Sequence, residues 1–354
     1  MNLEVNGLNI FLMILTTFIC SVILVPIAKK IAFHVGAYDY PNQRRLNKVP
    51  MPTIGGIAVF ASFIIGYLIF GRKSVEMLSI IIAGMIIIFT GFIDDIKPIS
   101  AKHQLIGQLL AVLVITIYGK ITIENITLLG LNLHFATPWN YIVTIIFMLG
   151  IINAIDLSDG MDGLSSGISI IYFSTILIIA ISLGMAGSID TLIATLMIGA
   201  LLGFLVYNFP PAKIYIGDSG SNFVGLMVSI TALYGYKVAT FTSLLIPLAI
   251  LATPIIDVLF AIIRRSLKKE NPFTTPDKEH LHHQLLKMKF STKKSLGIIY
   301  FINICFAIAS ILYSQGNILY AFIMYIALMI VFFYLAIKTS ILFPNKGEKN
   351  HEEK

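Results

Sequence analysis

Eleven apolar stretches follow one another along this 354-residue chain, and that pattern dictates the solvent in which it folds. They lie near 8–28, 54–71, 77–93, 104–118, 140–155, 164–183, 191–208, 219–237, 241–263, 296–314 and 318–342. A hydrocarbon layer about 30 Å thick is crossed by roughly 20 helical residues. Within it every backbone N–H and C=O must find its partner inside the segment, which a helix provides. The composition agrees, with 57% hydrophobic and 12% charged residues and a mean hydropathy of +0.89. Too little polar surface exists to cover a water-soluble core. The expectation is an all-α integral membrane protein with about 11 transmembrane helices, one polytopic domain over 1–343 and a polar tail over 344–354.

Basic residues orient the spans. With the N-terminus outside, only Arg72, Lys73, Lys120 and Lys237 of the 25 Lys and Arg fall on the outer side. Positive residues favour the cytoplasmic side, so the C-terminus is expected inside, in a plasma membrane. The first segment has Glu4 and no basic leader before it, and reads as a retained span. The net charge of +7 is read as inner loops facing anionic headgroups, with membrane lipids and no nucleic acid as partners. Cys20 and Cys305 lie inside apolar segments with no metal-ligand spacing.

Acids are scarce, yet seven sit near segment ends assigned to the inner side: Asp94, Asp95, Asp156, Asp159, Asp162, Asp218 and Asp257. Asp94 and Asp95 close a segment, where the helix dipole is negative. Either they turn the chain into water or a cation such as Mg²⁺ offsets them. Asp156, Asp159 and Asp162 recur every third residue among glycines, an oxygen-rich run suited to a hard cation. Asp218, in IGDSGS, either caps its helix or holds a metal that bridges a phosphate bound by backbone N–H groups. Pro247 and Pro254 are expected to break the ninth segment beside Asp257. The pair Gly55 and Gly56 allows close approach by a helix or by a substrate.

Two loops are long enough to carry structure. Residues 119–138 alternate around Gly130 and predict a hairpin. The inner loop 264–295 holds Arg264, Arg265, His280, His282 and His283, and from Asp277 predicts a short amphipathic helix at the interface, with Leu281, Leu285 and Met288 on one side. No cysteine or carboxylate completes a zinc site with these histidines, so they read as diphosphate contacts helped by the two arginines or as a solvated helix face.

In order, PTIGG (52–56), GFIDD (91–95), NAIDLSDGMDGL (153–164), AKIYIGDSGS (212–221) and PDKEHLHH (276–283) resemble the polyprenyl-phosphate N-acetylhexosamine-1-phosphate transferase family, glycosyltransferase family 4. The HxHH spacing is similar to the WecA/TagO-like branch more than to the MraY branch. The resemblance implies transfer of GlcNAc-1-phosphate from UDP-GlcNAc to undecaprenyl phosphate, giving undecaprenyl-diphospho-GlcNAc and UMP, the first lipid-linked step of a teichoic acid, capsule or O-antigen type polymer. It implies Mg²⁺, with Mn²⁺ as substitute, and a homodimer as a candidate assembly. It places the metal on Asp218 and Asp156, and Asp94 and Asp95 around the lipid phosphate. Asn153, Asp159 and Asp162 fall to the nucleotide-sugar side, and Lys48, Lys102, Arg264, Arg265 and the three histidines to phosphate or sugar contacts. Two positions depart from the family pattern: Asp156 stands where many relatives have Asn, and Gln104 where relatives often have a basic residue.

Elementary electrostatics points the same way. Two phosphorylated reactants repel by about 4 kcal/mol per unit-charge pair at about 4 Å and an effective dielectric near 20. A divalent cation and basic loops offset that repulsion. Direct in-line attack and a route through a phospho-aspartate both satisfy the sequence, the former preferred. The rival classes are an MraY-like phospho-MurNAc-pentapeptide transferase and an ion-coupled transporter, which would place ionisable residues mid-span.

Overall fold

The computed structural model describes residues 4–5, 8–40, 50–128, 131–238, 245–267 and 280–338. Its helices in chain order are α1 (Ile10–Val35), α2 (Gly55–Phe70), α3 (Val75–Ile96), α4 (Ala101–Leu113), α5 (Trp139–Leu157), α6 (Leu164–Ser182), α7 (Ile189–Asn208), α8 (Gly217–Val238), α9 (Leu245–Ile250), α10 (Ala252–Leu267), α11 (Leu281–Lys287), α12 (Thr292–Ser314) and α13 (Ile318–Lys338). Each apolar stretch of the sequence contains a helix among its described residues. The fourth ends in a π-helical turn, Val114–Tyr118, and the ninth is broken between Ile250 and Ala252, flanked by its two prolines. Among the described residues, α1, α3, α4 with its π turn, α5, α6, α7 and α12 are long and apolar enough to cross a membrane. The molecule is an all-α, multi-pass membrane protein.

Sidedness of the outer helices explains why. On α1, Met13, Thr17, Ser21, Val25, Ala28 and Ala32 are buried, while Phe11, Leu15, Ile19, Ile23, Ile27 and Ile31 are exposed. Small and weakly polar residues face protein and large apolar ones face outward, the reverse of a water-soluble helix. Close approach replaces the hydrophobic drive that lipid removes. Gly199 and Gly203, one turn apart on α7, lie against α1, where a Cβ would strike Thr17 and the Phe18 carbonyl. Helices α7 and α8 form the centre, with Leu192, Ile193, Met197, Leu201 and Phe204 of one and Phe223, Leu226 and Met227 of the other fully or nearly fully buried.

Three small antiparallel pairings decorate the bundle: β1 (Glu4–Val5) with β2 (Leu8–Asn9), β3 (Tyr38–Asp39) with β4 (Met51–Pro52), and β5 (Asn125–Leu128) with β6 (Leu131–His134). The last is the hairpin predicted around Gly130, with Leu128 opposite Leu131.

The helix expected from Asp277 onward needs correction. Helix α11 starts at Leu281 with His280 as its N-cap residue, Leu281 and Leu285 are buried, and Met288 is its exposed C-cap. Leu281 and Leu285 join the apolar cluster of Phe260, Leu296 and Ile299, so this helix packs into the protein and does not lie on the membrane surface. Residues 277–279, Lys48 and the tail 344–354 lie outside the described residues.

Candidate active site

The site is built around the first turn of α8. The strand-like segment before it is tied to the entry of α2: Tyr215 N donates to Pro52 O at 2.8 Å, Gly55 N to Tyr215 O at 3.0 Å and Gly56 N to Ile216 O at 2.8 Å. These bonds join PTIGG to AKIYIGDSGS. A Cβ on Gly220 would lie 2.6 Å from the Gly56 Cα, so the two helices meet backbone to backbone. The neighbouring helix thus accounts for the Gly55 and Gly56 pair. Gly217 turns the chain into α8 at φ 72°, a left-handed conformation that side chains disfavour.

That turn presents the free N–H groups of α8 to the end of α3. Asp95 takes them: Asp218 N donates to Asp95 Oδ1 at 3.0 Å, while Ser219 N and Ser219 Oγ donate to Oδ2 at 3.3 and 2.7 Å. A carboxylate from another helix therefore caps α8, where the dipole favours a negative charge. The backbone N–H groups expected to cradle a phosphate are committed to Asp95. Its neighbour Asp94 accepts from Ile99 N at 2.6 Å, and its carboxyl lies within hydrogen-bonding reach of Asp218.

Asp156, at the end of α5, accepts at Oδ1 from Ser221 Oγ and, at 3.0 Å, from Asn222 Nδ2. Asp218 Oδ2 accepts from Gln104 Nε2 at 3.1 Å. Gln108 and Asn222 lie outside the sequence motifs, Ser219 and Ser221 enter them only as part of IGDSGS, and Gln104 enters only as a departure from the family pattern. Their signal was available, since Gln104 and Gln108 stand four apart on one face of a span otherwise rich in leucine and valine.

A cavity of about 380 Å³ opens over these groups. Asp39, Asp94, Asp95, Asp156, Asp159, Asp162 and Asp218 line it together with Tyr38, Tyr215 and His283, and among the described residues no lysine or arginine lines it. Six of the seven carboxylates singled out from sequence thus meet, joined by Asp39 from β3. Asp257 is elsewhere: Oδ2 pairs with His280 Nδ1 at 2.9 Å and Oδ1 accepts from Leu281 N at 3.0 Å, so it holds the start of α11. Among the described residues, no three His, Cys, Asp or Glu side chains are already gathered as a metal cage. The donor set instead consists of carboxylates brought together from α3, α5, α8 and the segment after α5, with room for water and phosphate oxygens, which suits a hard cation such as Mg²⁺.

The remaining expected residues separate into those on the cleft and those behind it. Asp162 lines it and also accepts from Ala212 N at 2.9 Å, and Asp159 lines the same wall. Asn153 donates from Nδ2 to Gln108 Oε1 at 2.9 Å and to Leu149 O at 2.8 Å, within the protein. Of the histidines, His283 reaches the cleft, whereas His280 is tied to Asp257. His282 is buried behind Gly160, where a Cβ would strike its ring. Burial first, then neighbouring His283 and His280, hold its pKa well below the ordinary histidine value. Lys102 is exposed in the first turn of α4, and Arg264 and Arg265 are buried in the last turn of α10; none of the three lines the cavity.

A multi-pass helical bundle with an acidic cleft where α3 and α5 end and α8 begins defines a membrane-embedded enzyme with its chemistry at one end of the bundle. The profile of Glycosyl transferase family 4 matches residues 77–236. The chain is 37% identical over 332 residues to the probable undecaprenyl-phosphate N-acetylglucosaminyl 1-phosphate transferase of Bacillus subtilis, covering 92% of this chain and 91% of that one. It is 32% identical over 302 residues to the decaprenyl-phosphate N-acetylglucosaminephosphotransferase of Mycobacterium tuberculosis, covering 77% and 74%. It is 26% identical over 334 residues to the undecaprenyl-phosphate alpha-N-acetylglucosaminyl 1-phosphate transferase of Escherichia coli, covering 93% and 90%. The chain belongs to glycosyltransferase family 4.

Proposed function

We propose that this enzyme transfers GlcNAc-1-phosphate from UDP-GlcNAc to undecaprenyl phosphate, releasing UMP and forming undecaprenyl-diphospho-GlcNAc as the first step of a cell-envelope polysaccharide. The relatives' named activities support the reaction class, and the observation that carries the chemistry is the convergence of seven aspartates on one cleft, with no lysine or arginine among its described lining residues. Such a pocket would repel two anionic substrates unless a divalent cation occupied it. Asp218 and Asp156 are the residues that would hold Mg²⁺, or Mn²⁺ in its place. When bound, the cation supplies charge neutralisation for the phosphates and for the departing UMP.

The side chains then divide the work. Asp95 holds the first turn of α8 and so fixes where Asp218 points. Asp94, restrained by Ile99 N, stands beside Asp218 on the side assigned to the lipid phosphate. Asp159, Asp162 and His283 face the cleft from the segment after α5 and from α11, the wall assigned to the nucleotide sugar. A phosphate monoester loses its second proton near pH 6, so the attacking oxygen is already anionic at neutral pH and needs no strong base. Direct in-line attack is the simpler route.

Eleven crossings with the N-terminus outside complete the proposal. Lys97, Lys102, Lys213, Arg264 and Arg265 lie at the same loops as the cleft, so the positive-inside bias supports a cytoplasmic site in the plasma membrane. The test is release of UMP by purified protein given undecaprenyl phosphate with UDP-GlcNAc, UDP-GalNAc or UDP-MurNAc-pentapeptide. UDP-GlcNAc should be the preferred donor, EDTA should stop release, and Mg²⁺ or Mn²⁺ should restore it. Preference for the pentapeptide donor, or full turnover in EDTA, would overturn the assignment.

A further inference from the structure

A chain of side-chain amides runs behind the cleft to Asp156. Asn153 Nδ2 donates to Gln108 Oε1 at 2.9 Å, Gln108 Nε2 to Asn222 Oδ1 at 2.6 Å, and Asn222 Nδ2 to Asp156 Oδ1 at 3.0 Å. It links α5 to α4, α4 to α8, and α8 back to α5. Gln108 and Asn222 are buried, so each unmade bond would be costly.

The direction of this chain is fixed at both ends. An amide can be turned end for end without changing shape, so its orientation comes from its partners. Asn153 Nδ2 also donates to the Leu149 carbonyl at 2.8 Å, and Asn222 Nδ2 to the Asp218 carbonyl at 2.8 Å. A backbone carbonyl only accepts, so both nitrogens must point where they do. Gln108 is left one arrangement, oxygen toward Asn153 and nitrogen toward Asn222. No charged residue takes part before Asp156 is reached.

We propose that Gln108 is a positioning residue for Asp156. By accepting from Asn153 and donating to Asn222, it keeps the Asn222 amide nitrogen on Asp156 Oδ1. With Ser221 also on Oδ1, the carboxylate is locked in rotation and Oδ2 is left for a cation. Partners of this kind orient metal-binding carboxylates although they never touch the metal. The inference rests on the metal role proposed for Asp156.

The test is Mn²⁺ binding to the detergent-solubilised full chain without either substrate, read from the electron paramagnetic resonance signal of free Mn²⁺. Gln108→Met keeps the length of the side chain and removes both amide bonds. It should weaken Mn²⁺ binding by at least about tenfold in a metal-free protein that still unfolds cooperatively, at a melting temperature lowered by the donor that Asn222 Oδ1 loses. Unchanged Mn²⁺ affinity in a folded Gln108→Met protein would overturn the positioning role. Should that variant not fold, Asn153→Ala removes the donor at the far end of the chain and is measured alike. A loss of Mn²⁺ affinity there supports the relay, and wild-type affinity refutes it. Failure of the underlying metal reading looks different: wild-type protein would then bind no Mn²⁺ while still releasing UMP.

Discussion

Asp95 and Asp218 are both conspicuous acids of the cleft, yet the structure gives them opposite relations to stability. Asp95 accepts two backbone N–H bonds and one hydroxyl bond from the start of α8. In Asp95→Asn, one oxygen remains to accept, and the new amide nitrogen faces groups that can only donate or must rotate away. At least one backbone N–H loses its acceptor, a loss of about 1–3 kcal/mol. Removing a negative charge from a helix N-terminus costs about 0.3–1 kcal/mol, which relief of the repulsion from neighbouring Asp94 offsets. A destabilisation of roughly 1–3 kcal/mol follows. Asp218, by contrast, sits within the charge field of Asp156, Asp95 and Asp94 and accepts one side-chain bond, from Gln104. Asp218→Asn relieves like-charge repulsion and should leave the metal-free protein at least as stable as wild type, while nearly abolishing UMP release. Both variants would be compared by chemical or thermal unfolding in the same detergent with EDTA present, alongside UMP release with Mg²⁺. Equal stability of the two variants, or an Asp95→Asn protein unfolding like wild type, would refute the capping argument. Full activity in Asp218→Asn would refute the metal argument independently.

Two further outcomes follow from the packing. Gly56→Ala would drive a methyl into the backbone of Gly220, and neither helix has a flexible side chain at that contact to move aside. A loss of at least about 1–3 kcal/mol is expected, measured by unfolding in detergent, and a neutral result would show that α2 and α8 can separate freely. His282 is held neutral by burial and by His283 and His280. Because its folded pKa is depressed, the unfolded chain binds the extra proton. Its contribution to stability is therefore complete above about pH 6.5 and is lost as pH falls below that value. The melting temperature of His282→Gln should fall less than that of wild type between about pH 7.5 and about pH 5.5, and parallel curves would contradict the assignment.

What could be read from the sequence was what depends on local pattern. Apolar runs located every long helix, and Pro247 with Pro254 marked the break between α9 and α10. Scarcity made the acids visible, and Asp94, Asp95, Asp156, Asp159, Asp162 and Asp218 share one cleft because the ends of α3 and α5 pack against the start of α8. Pairwise choices between groups far apart in the chain were not legible. Asp257 shares the acidic character of the others, yet it is spent on His280 and the start of α11. Asp39 belongs to none of the sequence motifs, and only the pairing of β3 with β4 sets it beside the cleft.

Gln108 and Asn222 carry no charge and fall outside the motifs, and Gln104 shows only as a departure from the family pattern. In a soluble protein Gln104, Gln108 and Asn222 would be unremarkable surface residues, but in a bundle whose outer faces meet lipid they cannot turn outward without losing their hydrogen bonds. Their donors have to be directed at something anionic or at a carbonyl, and Asp156 at the end of α5, Asp218 at the start of α8 and the amide oxygen of Asn222 are what the fold supplies. The glycines act one level below. They let α2 and α8 touch, which brings the first turn of α8 under Asp95 and sets Asp218 over the cleft. Close backbone packing, the capping carboxylate and the amide relay are therefore successive layers of one arrangement, and the reactive acids at its surface are held by neutral residues that carry no charge of their own.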